Sequence, residues 1–353
     1  YDPACGTGGM LTVADDYLSK LNPDATLKMF GQELNPESYA ICKSDMLIKD
    51  EPVENIKYGN SFTNDQLKND SFDYMLSNPP FGVSWKKVRD QIEKESNQLG
   101  MDGRFGAGLP RVNDGSLLFL QHMISKMKSK DRGSRIAIVF NASPLFNGGA
   151  GSGESEIRRW IIENDWLETI VALPEELFYN TGINTYIWIV SNRKSEERTG
   201  KVQLINAVDF YEEMRKSKGN KRNYISEDQI NEITRIYGRF EENEYSQIFD
   251  KEEFGYQRIC VEQPIRRCYQ VNEERIEYFK EEDGFKRIGE RKNGEEMQEE
   301  ILEGLREKFD FDKIYTNHGN FIADIEDVFS EVSISLYKYI RTALFNAFGW
   351  EDE

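Results

Sequence analysis

Histidine, cysteine and long apolar runs are scarce in this sequence. Its 353 residues include two histidines, and its four cysteines form no CxxC pair. That pattern supports neither a disulfide framework nor a zinc site, so we expect no metal and a reducing, cytoplasmic setting. Because no apolar stretch reaches the roughly 18 residues needed to cross a bilayer, no membrane association is predicted.

Positive charge is also in short supply. The 63 acidic residues outnumber the 45 lysines and arginines, which gives a formal net charge of −18. Residues 271–353 contain 22 acidic and 11 basic residues and therefore contribute −11 of that total. Binding to nucleic acid depends on basic surfaces that release counterions, so a chain this acidic would need a partner to hold DNA. A small basic island, RKSKGNKRN at 215–223, is an exception.

Helical and strand patterns alternate from the first residues to about residue 208. Apolar spacing predicts helices at 10–21, 36–47, 116–127 and 157–164, and strands at 27–32, 56–58, 72–76, 135–140, 168–173 and 185–190. This alternation predicts an open, mostly parallel α/β sheet covered by helices on both faces. Such sheets bind ligands at the carboxyl ends of their strands.

Three other regions differ from this pattern. The glycine-rich segment between Phe81 and Asp114 predicts a mobile lid rather than a regular element. Residues 209–270 read as a charged connector that packs on the first domain, and 271–353 as an acidic helical region. An apolar stripe in the last region is expected to pack within its own domain; it comprises Val328, Phe329, Val332, Leu336, Tyr339, Ile340 and Leu344.

A glycine-rich turn, YDPACGTGG at residues 1–9, precedes the first predicted helix. Gly6, Gly8 and Gly9 let the backbone turn tightly and approach a ligand, and the free N–H groups of the new helix favour an anionic group. Asp2 precedes this turn, where its carboxylate could meet an ammonium group or could simply belong to Asp-Pro turn chemistry.

Glu33 is predicted to end the second strand. An acid about 20 residues after a glycine turn is the arrangement that binds the two hydroxyls of an adenosine ribose. A ligand that carries both an amino acid and an adenosine would satisfy the turn, Asp2 and Glu33 together, and S-adenosylmethionine is such a ligand. Asn60 follows the next strand and either reaches an adenine edge or forms a plain turn.

The stretch Asn78-Pro79-Pro80-Phe81 ends another predicted strand. The amino nitrogen of adenine, cytosine or an amide is a poor nucleophile because its lone pair is delocalised. Two acceptors aimed at its N–H bonds, the Asn78 side-chain oxygen and the Pro79 carbonyl, would free that pair. The prolines fix φ and hold both acceptors in place, and Phe81 would stack on a planar base. The chemistry needs no histidine, and His122 is expected to be structural.

These motifs, in this order, resemble those of a known family. DPACGTGG, GQELNP and SNPPF are similar to motif I, the following acidic motif and motif IV of N6-adenine DNA methyltransferases. The stretches at 173–194 and 254–267, LPEELFYNTGINTYIWIVSNRK and FGYQRICVEQPIRR, resemble the modification (M) subunit of type I restriction-modification systems. The similarity covers residues 1–270. It implies a Rossmann-like, S-adenosylmethionine-dependent methyltransferase sheet at 1–208 with a helical C-terminal region.

The resemblance also implies an activity and partners. The chain would be a site-specific DNA adenine-N6 methyltransferase that works with a specificity (S) subunit and a restriction (R) subunit, with two M chains to one S chain. Because family members carry an N-terminal helical domain and a first strand before motif I, the sequence, which opens at Tyr1, is expected to lack them.

Site residues follow from the matched motifs and from the turns described above. The cofactor-binding residues would be Asp2, Pro3, Ala4, Gly6, Thr7, Gly8, Gly9, Glu33 and Asn60, and the catalytic residues Asn78, Pro79, Pro80 and Phe81. Phe178 and Tyr179, together with the basic residues Lys86, Lys87, Arg89, Arg104 and Arg111 of the 82–113 segment, are candidates for gripping the extruded strand; the alternative for that segment is a charged, solvated loop.

Two alternative functions stay open. An Asn-Pro-Pro turn also suits the amide nitrogen of a protein glutamine, although Phe81 and the long C-terminal half count against that substrate. The chain could also be a catalytically silent fragment that acts as an assembly module for the S subunit.

Overall fold

The computed structural model describes residues 1–179, 181–257, 259 and 266–352. Within these ranges the chain folds into two compact units, Tyr1–Arg258 and Ile259–Glu353. Asn180, Cys260 and most of the second half of the FGYQRICVEQPIRR stretch lie outside the described residues. The three-part division at 208 and 270 stays a prediction.

The first unit is a mixed α/β structure. Its strands are β1 (Gly31–Glu33), β2 (Ile56–Tyr58), β3 (Tyr74–Ser77), β4 (Arg135–Asn141), β5 (Leu167–Ala172), β6 (Thr185–Ser191), β7 (Lys201–Asn206), β8 (Glu212–Lys218), β9 (Lys221–Tyr224) and β10 (Ser246–Asp250). Its helices are α1 (Gly9–Leu21), α2 (Pro36–Ile48), α3 (Arg89–Leu99), α4 (Ser116–Ser125), α5 (Ser143–Phe146), α6 (Gly153–Glu163) and α7 (Glu227–Arg239).

The central sheet has the strand order β10-β7-β5-β6-β4-β3. The pairs β3–β4 and β5–β7 are parallel, whereas β6 is antiparallel to both β4 and β5, and β10 is antiparallel to β7. The connection from β5 to β6 contains no helix, and a parallel return would need a crossover. The predicted sheet is therefore confirmed, with two antiparallel strands that the sequence pattern did not reveal.

Tyr1 and Asp2 connect this sheet to a second, parallel pair formed by β1 and β2. The Leu76 N–H donates to the Tyr1 carbonyl over 3.0 Å, and Asp2 forms a parallel bridge with Gly31. The first two residues thus lie between β1 and β3. Their position brings the glycine turn and the end of β3 to the same edge of the sheet.

Helix α4 is buried on nearly every side. Leu117, Leu120 and Met123 belong to the main core of the sheet, whereas Leu118 packs in a smaller cluster with Trp85 and Phe105. A helix with this all-round apolar character must be covered on both sides. The segment that follows Phe81 supplies the outer cover.

The expectation that 82–113 contains no regular element is wrong. The segment contains a short 3-10 turn and helix α3, and Phe105 is fully buried. The glycines mark close backbone approaches: a Cβ on Gly106 would lie 2.1 Å from the Gly100 carbonyl oxygen. The segment folds because its own apolar residues form a core against α4, which a count of glycines does not reveal.

The second unit is helical. It contains α8 (Glu273–Glu281), α9 (Asp283–Gly289), α10 (Gly294–Lys308), α11 (His318–Glu331) and α12 (Lys338–Phe348), and a two-stranded antiparallel sheet of β11 (Arg266–Tyr269) and β12 (Gly349–Asp352). All seven residues of the predicted apolar stripe belong to or pack against the core of this unit. The prediction that the stripe packs within its own domain is therefore confirmed. Across the described ranges, no helix has the length and apolar character of a membrane span.

Candidate active site

The glycine turn leads directly into α1. Gly6 and Gly8 adopt positive φ values of 55° and 87°, which glycine tolerates without strain. A Cβ on Gly8 would lie 2.8 Å from the sulfur of Cys42, so this position is also closed to larger residues. Cβ atoms built on Gly6 and Gly9 meet no atom within 4 Å. One side of the turn is therefore sealed against α2, and the other has room for a ligand.

Asp2 is buried between the two halves of the sheet, with 2% of its surface exposed. Its Oδ1 accepts hydrogen bonds from the Ala4 N–H, over 2.9 Å, and from the Ser77 hydroxyl, over 2.8 Å. Burial raises the pKa of Asp2 to about 6, and these two hydrogen bonds oppose the shift. Its Oδ2 accepts no hydrogen bond from any described residue.

Glu33 supports the glycine turn from the end of β1. Its Oε2 accepts a hydrogen bond from the Gly6 N–H over 2.8 Å, and its Oε1 accepts one from the Asn35 N–H over 2.6 Å. The predicted acid and the predicted turn are thus in direct contact. Each carboxylate oxygen can accept a further hydrogen bond, so a ribose role stays a prediction.

Asn60 adopts the plain-turn alternative. Its side-chain oxygen accepts from the Phe62 N–H over 2.9 Å, and its backbone carbonyl accepts from Thr63 and Asn64. The next residue, Ser61, donates to the Pro3 carbonyl over 2.5 Å and ties this turn to the glycine turn. A contact from Asn60 to an adenine stays a prediction.

The Asn78-Pro79-Pro80-Phe81 turn begins where β3 ends. Asn78 is exposed, Pro79 is buried and Phe81 is half-buried. Among the described residues, neither the Asn78 side chain nor the Pro79 carbonyl has a hydrogen-bond partner. The Asn78 side-chain oxygen and the Pro79 carbonyl oxygen are therefore both free to accept a hydrogen bond from a ligand. The Ser77 hydroxyl, one residue earlier, links this turn to Asp2.

Phe178 lies against this turn. The Phe81 and Phe178 rings are 6.2 Å apart and perpendicular, so the two predicted aromatic positions are brought together. Tyr179 is 62% exposed, and the Lys221 ammonium lies 5.3 Å from the centre of its ring. An aromatic surface thus extends from the Asn-Pro-Pro-Phe turn towards β9.

The expected role of Arg104 in gripping DNA is wrong. Its guanidinium donates to the Glu95 carboxylate and to the carbonyl oxygens of Ser61 and Phe62, and its side chain is only 17% exposed. It also contacts the His122 Nδ1 over 3.1 Å. A guanidinium with these partners is a structural group that fastens the 82–113 segment to the turn after β2.

His122 is structural, as predicted. It is completely buried, and burial beside Arg104 holds its pKa well below the usual range. Because Arg104 has only donors, His122 Nδ1 accepts, and Nε2 carries the hydrogen that faces the Tyr1 hydroxyl over 2.9 Å.

Two features lie away from this site. A cavity of about 460 Å³ lies against the sheet between α6 and β10, and its lining includes Ile161, Trp188 and Phe254 but no residue of the two turns. In the described ranges, no cluster of three or more His, Cys, Asp or Glu side chains could hold a metal ion.

A Rossmann-like sheet with a glycine turn, an acid at the end of the next strand and an Asn-Pro-Pro-Phe turn is the combination that the sequence motifs predict for the amino-group methyltransferase class. The chain belongs to the N-6 DNA methylase family, whose model matches residues 1–264. The resemblance drawn from the motifs and the fold class are therefore confirmed.

Named relatives are methylase subunits of type I restriction enzymes. The MjaIX subunit of Methanocaldococcus jannaschii is 28% identical over 74% of this chain and 44% of its own length. The MjaVII subunit of the same organism is 29% identical over 86% of this chain and 52% of its own. A type I methyltransferase subunit structure from Streptococcus thermophilus matches with a TM-score of 0.59 and 27% identity, over 72% of this chain and 50% of that one. The chain spans about half the length of the relatives it matches.

Proposed function

We propose that this chain carries the methyl-transfer part of a type I modification subunit, which methylates the N6 amino group of adenine in DNA. The observation that carries the proposal is the hydrogen bond from Ser77 to Asp2. It joins the glycine turn to the turn whose Asn78 side chain and Pro79 carbonyl have no partner in the described structure. The proposed cofactor site and the two proposed acceptors are thereby linked through one hydrogen bond.

S-adenosylmethionine fits the residues of the first turn. The space over Gly6 and Gly9 would admit its amino-acid part, and the Asp2 Oδ2 would accept from its ammonium. Glu33, at the end of β1, would meet the ribose hydroxyls. When bound, this cofactor supplies an electrophilic methyl group.

The second turn would prepare the adenine. The Asn78 Oδ1 and the Pro79 carbonyl would each accept one N–H of the amino group and so free the nitrogen lone pair, which is otherwise delocalised. Pro79 and Pro80 hold these acceptors in place before the base arrives. Phe81, supported by Phe178, would offer a face for the base, a contact worth about 1–3 kcal/mol. The base must leave the duplex to reach this turn.

DNA recognition would be shared with other chains. The net charge of −18 disfavours independent binding to a phosphate backbone. The named relatives are subunits of type I restriction enzymes. We therefore propose that an S subunit selects the sequence, that an R subunit can join, and that two M chains serve one S chain. A DNA substrate would also place the complex in the cytoplasm.

The decisive experiment is methyl transfer from labelled S-adenosylmethionine in the presence of the S subunit, with unmethylated DNA and a translation release factor as competing substrates. Label recovered as N6-methyladenine supports the proposal. Label recovered only in protein would establish glutamine methylation, for which the comparisons give no support. Cofactor binding without any transfer would favour the silent assembly module.

Cofactor binding should depend on pH through Asp2. The pKa of Asp2 is raised to about 6, and only the ionised carboxylate attracts an ammonium group. Protonation below that pH removes the attraction, so affinity for S-adenosylmethionine should fall about tenfold for each pH unit below the pKa. Calorimetric titration across this range would measure it. Asp2→Asn keeps an acceptor for Ser77 and should give a weak, nearly flat profile; the same pH dependence in both proteins would exclude Asp2.

A further inference from the structure

The basic island of the sequence forms a β-hairpin. Strands β8 and β9 pair in antiparallel fashion, with Lys218 opposite Lys221 at the tip. Residues 215–223 contain five basic residues and no acid, in a chain whose net charge is −18. Arg215, Lys216 and Lys218 are exposed, and none of them forms an ion pair within the described structure. Three unneutralised cations therefore share one strand of the hairpin.

The hairpin is fixed to the loop that carries Phe178 and Tyr179. Asn220 N–H donates to the Tyr179 carbonyl over 2.9 Å, and Arg222 N–H donates to the Glu176 carbonyl over 3.0 Å. A Cβ on Gly219 would lie 2.4 Å from the Tyr179 carbonyl oxygen, so the tip approaches the loop as closely as a backbone can. The hairpin tip is thus joined to the loop by backbone hydrogen bonds.

The same loop reaches the candidate catalytic turn. Phe178 contacts Phe81 at a ring separation of 6.2 Å, and Lys221 lies 5.3 Å from the Tyr179 ring. Contacts therefore run from the Asn-Pro-Pro-Phe turn to Phe178, and from its chain neighbour Tyr179 to Lys221 of β9, the strand that pairs with β8.

The nearby acids do not neutralise that strand. Glu176 is paired with Arg222 at 3.5 Å, and Glu212, at the base of the hairpin, accepts from the Tyr224 hydroxyl over 2.5 Å. Glu213 faces Asn223 across the pair, and Glu175 lies on the loop itself. These acids occupy the base and the docked side of the hairpin. The positive charge of β8 stays available to an anion.

We propose that Arg215, Lys216 and Lys218 bind the phosphates that flank the extruded adenine. That the anion is DNA rests on the function proposed above. Phosphate contacts fix the register of a nucleic acid and carry no sequence information, which suits a chain that leaves sequence reading to a partner. The hairpin would thus hold the strand at the point where its base enters the site.

The test compares two triple variants of the full chain. Arg215→Ala/Lys216→Ala/Lys218→Ala removes the hairpin charges. The control triple, Lys130→Ala/Arg132→Ala/Arg193→Ala, removes the same amount of charge from three exposed residues. These residues lie near the start of β4 and the end of β6, where Arg135 pairs with Ser191, at the edge of the sheet opposite the candidate site. A third variant, Arg215→Lys/Lys216→Arg/Lys218→Arg, keeps the hairpin charge. With the S subunit present in every sample, fluorescence anisotropy would report binding to a short adenine-containing duplex over a series of salt concentrations.

The hairpin triple should weaken DNA binding at low salt by about tenfold or more, and the slope of log K against log salt should become shallower by about 0.9 for each phosphate that the protein no longer neutralises. The control triple should change both quantities far less, and the charge-keeping variant should bind as the unaltered chain does. Equal losses of affinity in the two alanine triples would overturn the proposal, as would a hairpin triple that binds DNA as tightly as the unaltered chain does.

Polyglutamate, as a second probe, tests whether the hairpin binds an acidic protein instead of DNA. If the hairpin triple loses binding to polyglutamate but keeps DNA binding, the hairpin docks an acidic protein and the proposal is wrong.

The anisotropy measurement needs no methyl transfer. DNA binding through the hairpin without N6-methyladenine formation would therefore contradict the proposed function alone, whereas methylation with an unaffected hairpin triple would contradict this inference alone.

Discussion

Asn78→Ala should reduce methyl transfer to DNA by about 10²–10³-fold, because a fixed polar partner of the reacting group is worth that much in other enzymes. Asn78 is exposed and its side chain has no partner in the described structure, so its removal should leave the free energy of unfolding unchanged. S-adenosylmethionine should bind with nearly unaltered affinity. Single-turnover transfer from labelled cofactor would measure the chemical step.

Asn69→Ala is the matched control for this variant. Asn69 is another exposed asparagine of the same unit, in the loop before β3. Its replacement should leave both transfer and cofactor binding as they were. Transfer by Asn78→Ala at the rate of the unaltered chain would show that the side-chain amide does not orient the amino group.

Arg104→Ala should destabilise the first unit by about 3 kcal/mol. The change leaves the Glu95 carboxylate and the carbonyl oxygens of Ser61 and Phe62 without their shared donor. These groups lie where the 82–113 segment meets the turn after β2, so the loss should appear in urea denaturation as a lower midpoint for the unit. Arg104→Lys keeps the charge but loses the planar guanidinium with its several donors. Its denaturation midpoint should therefore lie between those of the unaltered chain and of Arg104→Ala.

Arg89→Ala provides the comparison within the same segment. Arg89 pairs with Glu93 on α3, but the two side chains are 51% and 35% exposed. An exposed pair of this kind contributes about 0–1 kcal/mol, so its loss should be barely measurable. Equal destabilisation by the two variants would mean that Arg104 is not the fastening group.

Much of the first unit could be predicted because its elements have local sequence signals. Helix α1 is expected at 10–21 and occupies Gly9–Leu21, and β2 is expected and found at Ile56–Tyr58. The strand expected at 27–32 is instead Gly31–Glu33, since pairing begins only where Asp2 and β2 lie alongside. Apolar pattern locates a segment, whereas its neighbours in the sheet decide which residues pair.

In the candidate site, too, local features could be predicted from the sequence and contacts between distant residues could not. Glycines, prolines and acids at fixed offsets identify both turns, because each turn is a local structure. The contacts that bind the turns together could not be predicted. Ser77 meets Asp2 across 75 positions of sequence, and Arg104 meets Glu95 and His122 from a segment whose glycines predict mobility. Serine before an Asn-Pro-Pro turn carries a usable signal, since it lies at the strand end; Arg104 carries none.

The shared carboxylate of Asp2 makes the two turns energetically interdependent. The same oxygen, Oδ1, accepts from the Ser77 hydroxyl, next to Asn78, and from the Ala4 N–H in the glycine turn. If the turns hold cofactor and base as proposed, any change in the Asp2–Ser77 bond upon cofactor binding alters the affinity for the base. By thermodynamic reciprocity, the base alters the affinity for the cofactor by the same factor. The two ligands would then bind cooperatively, with the sign set by a single hydrogen bond.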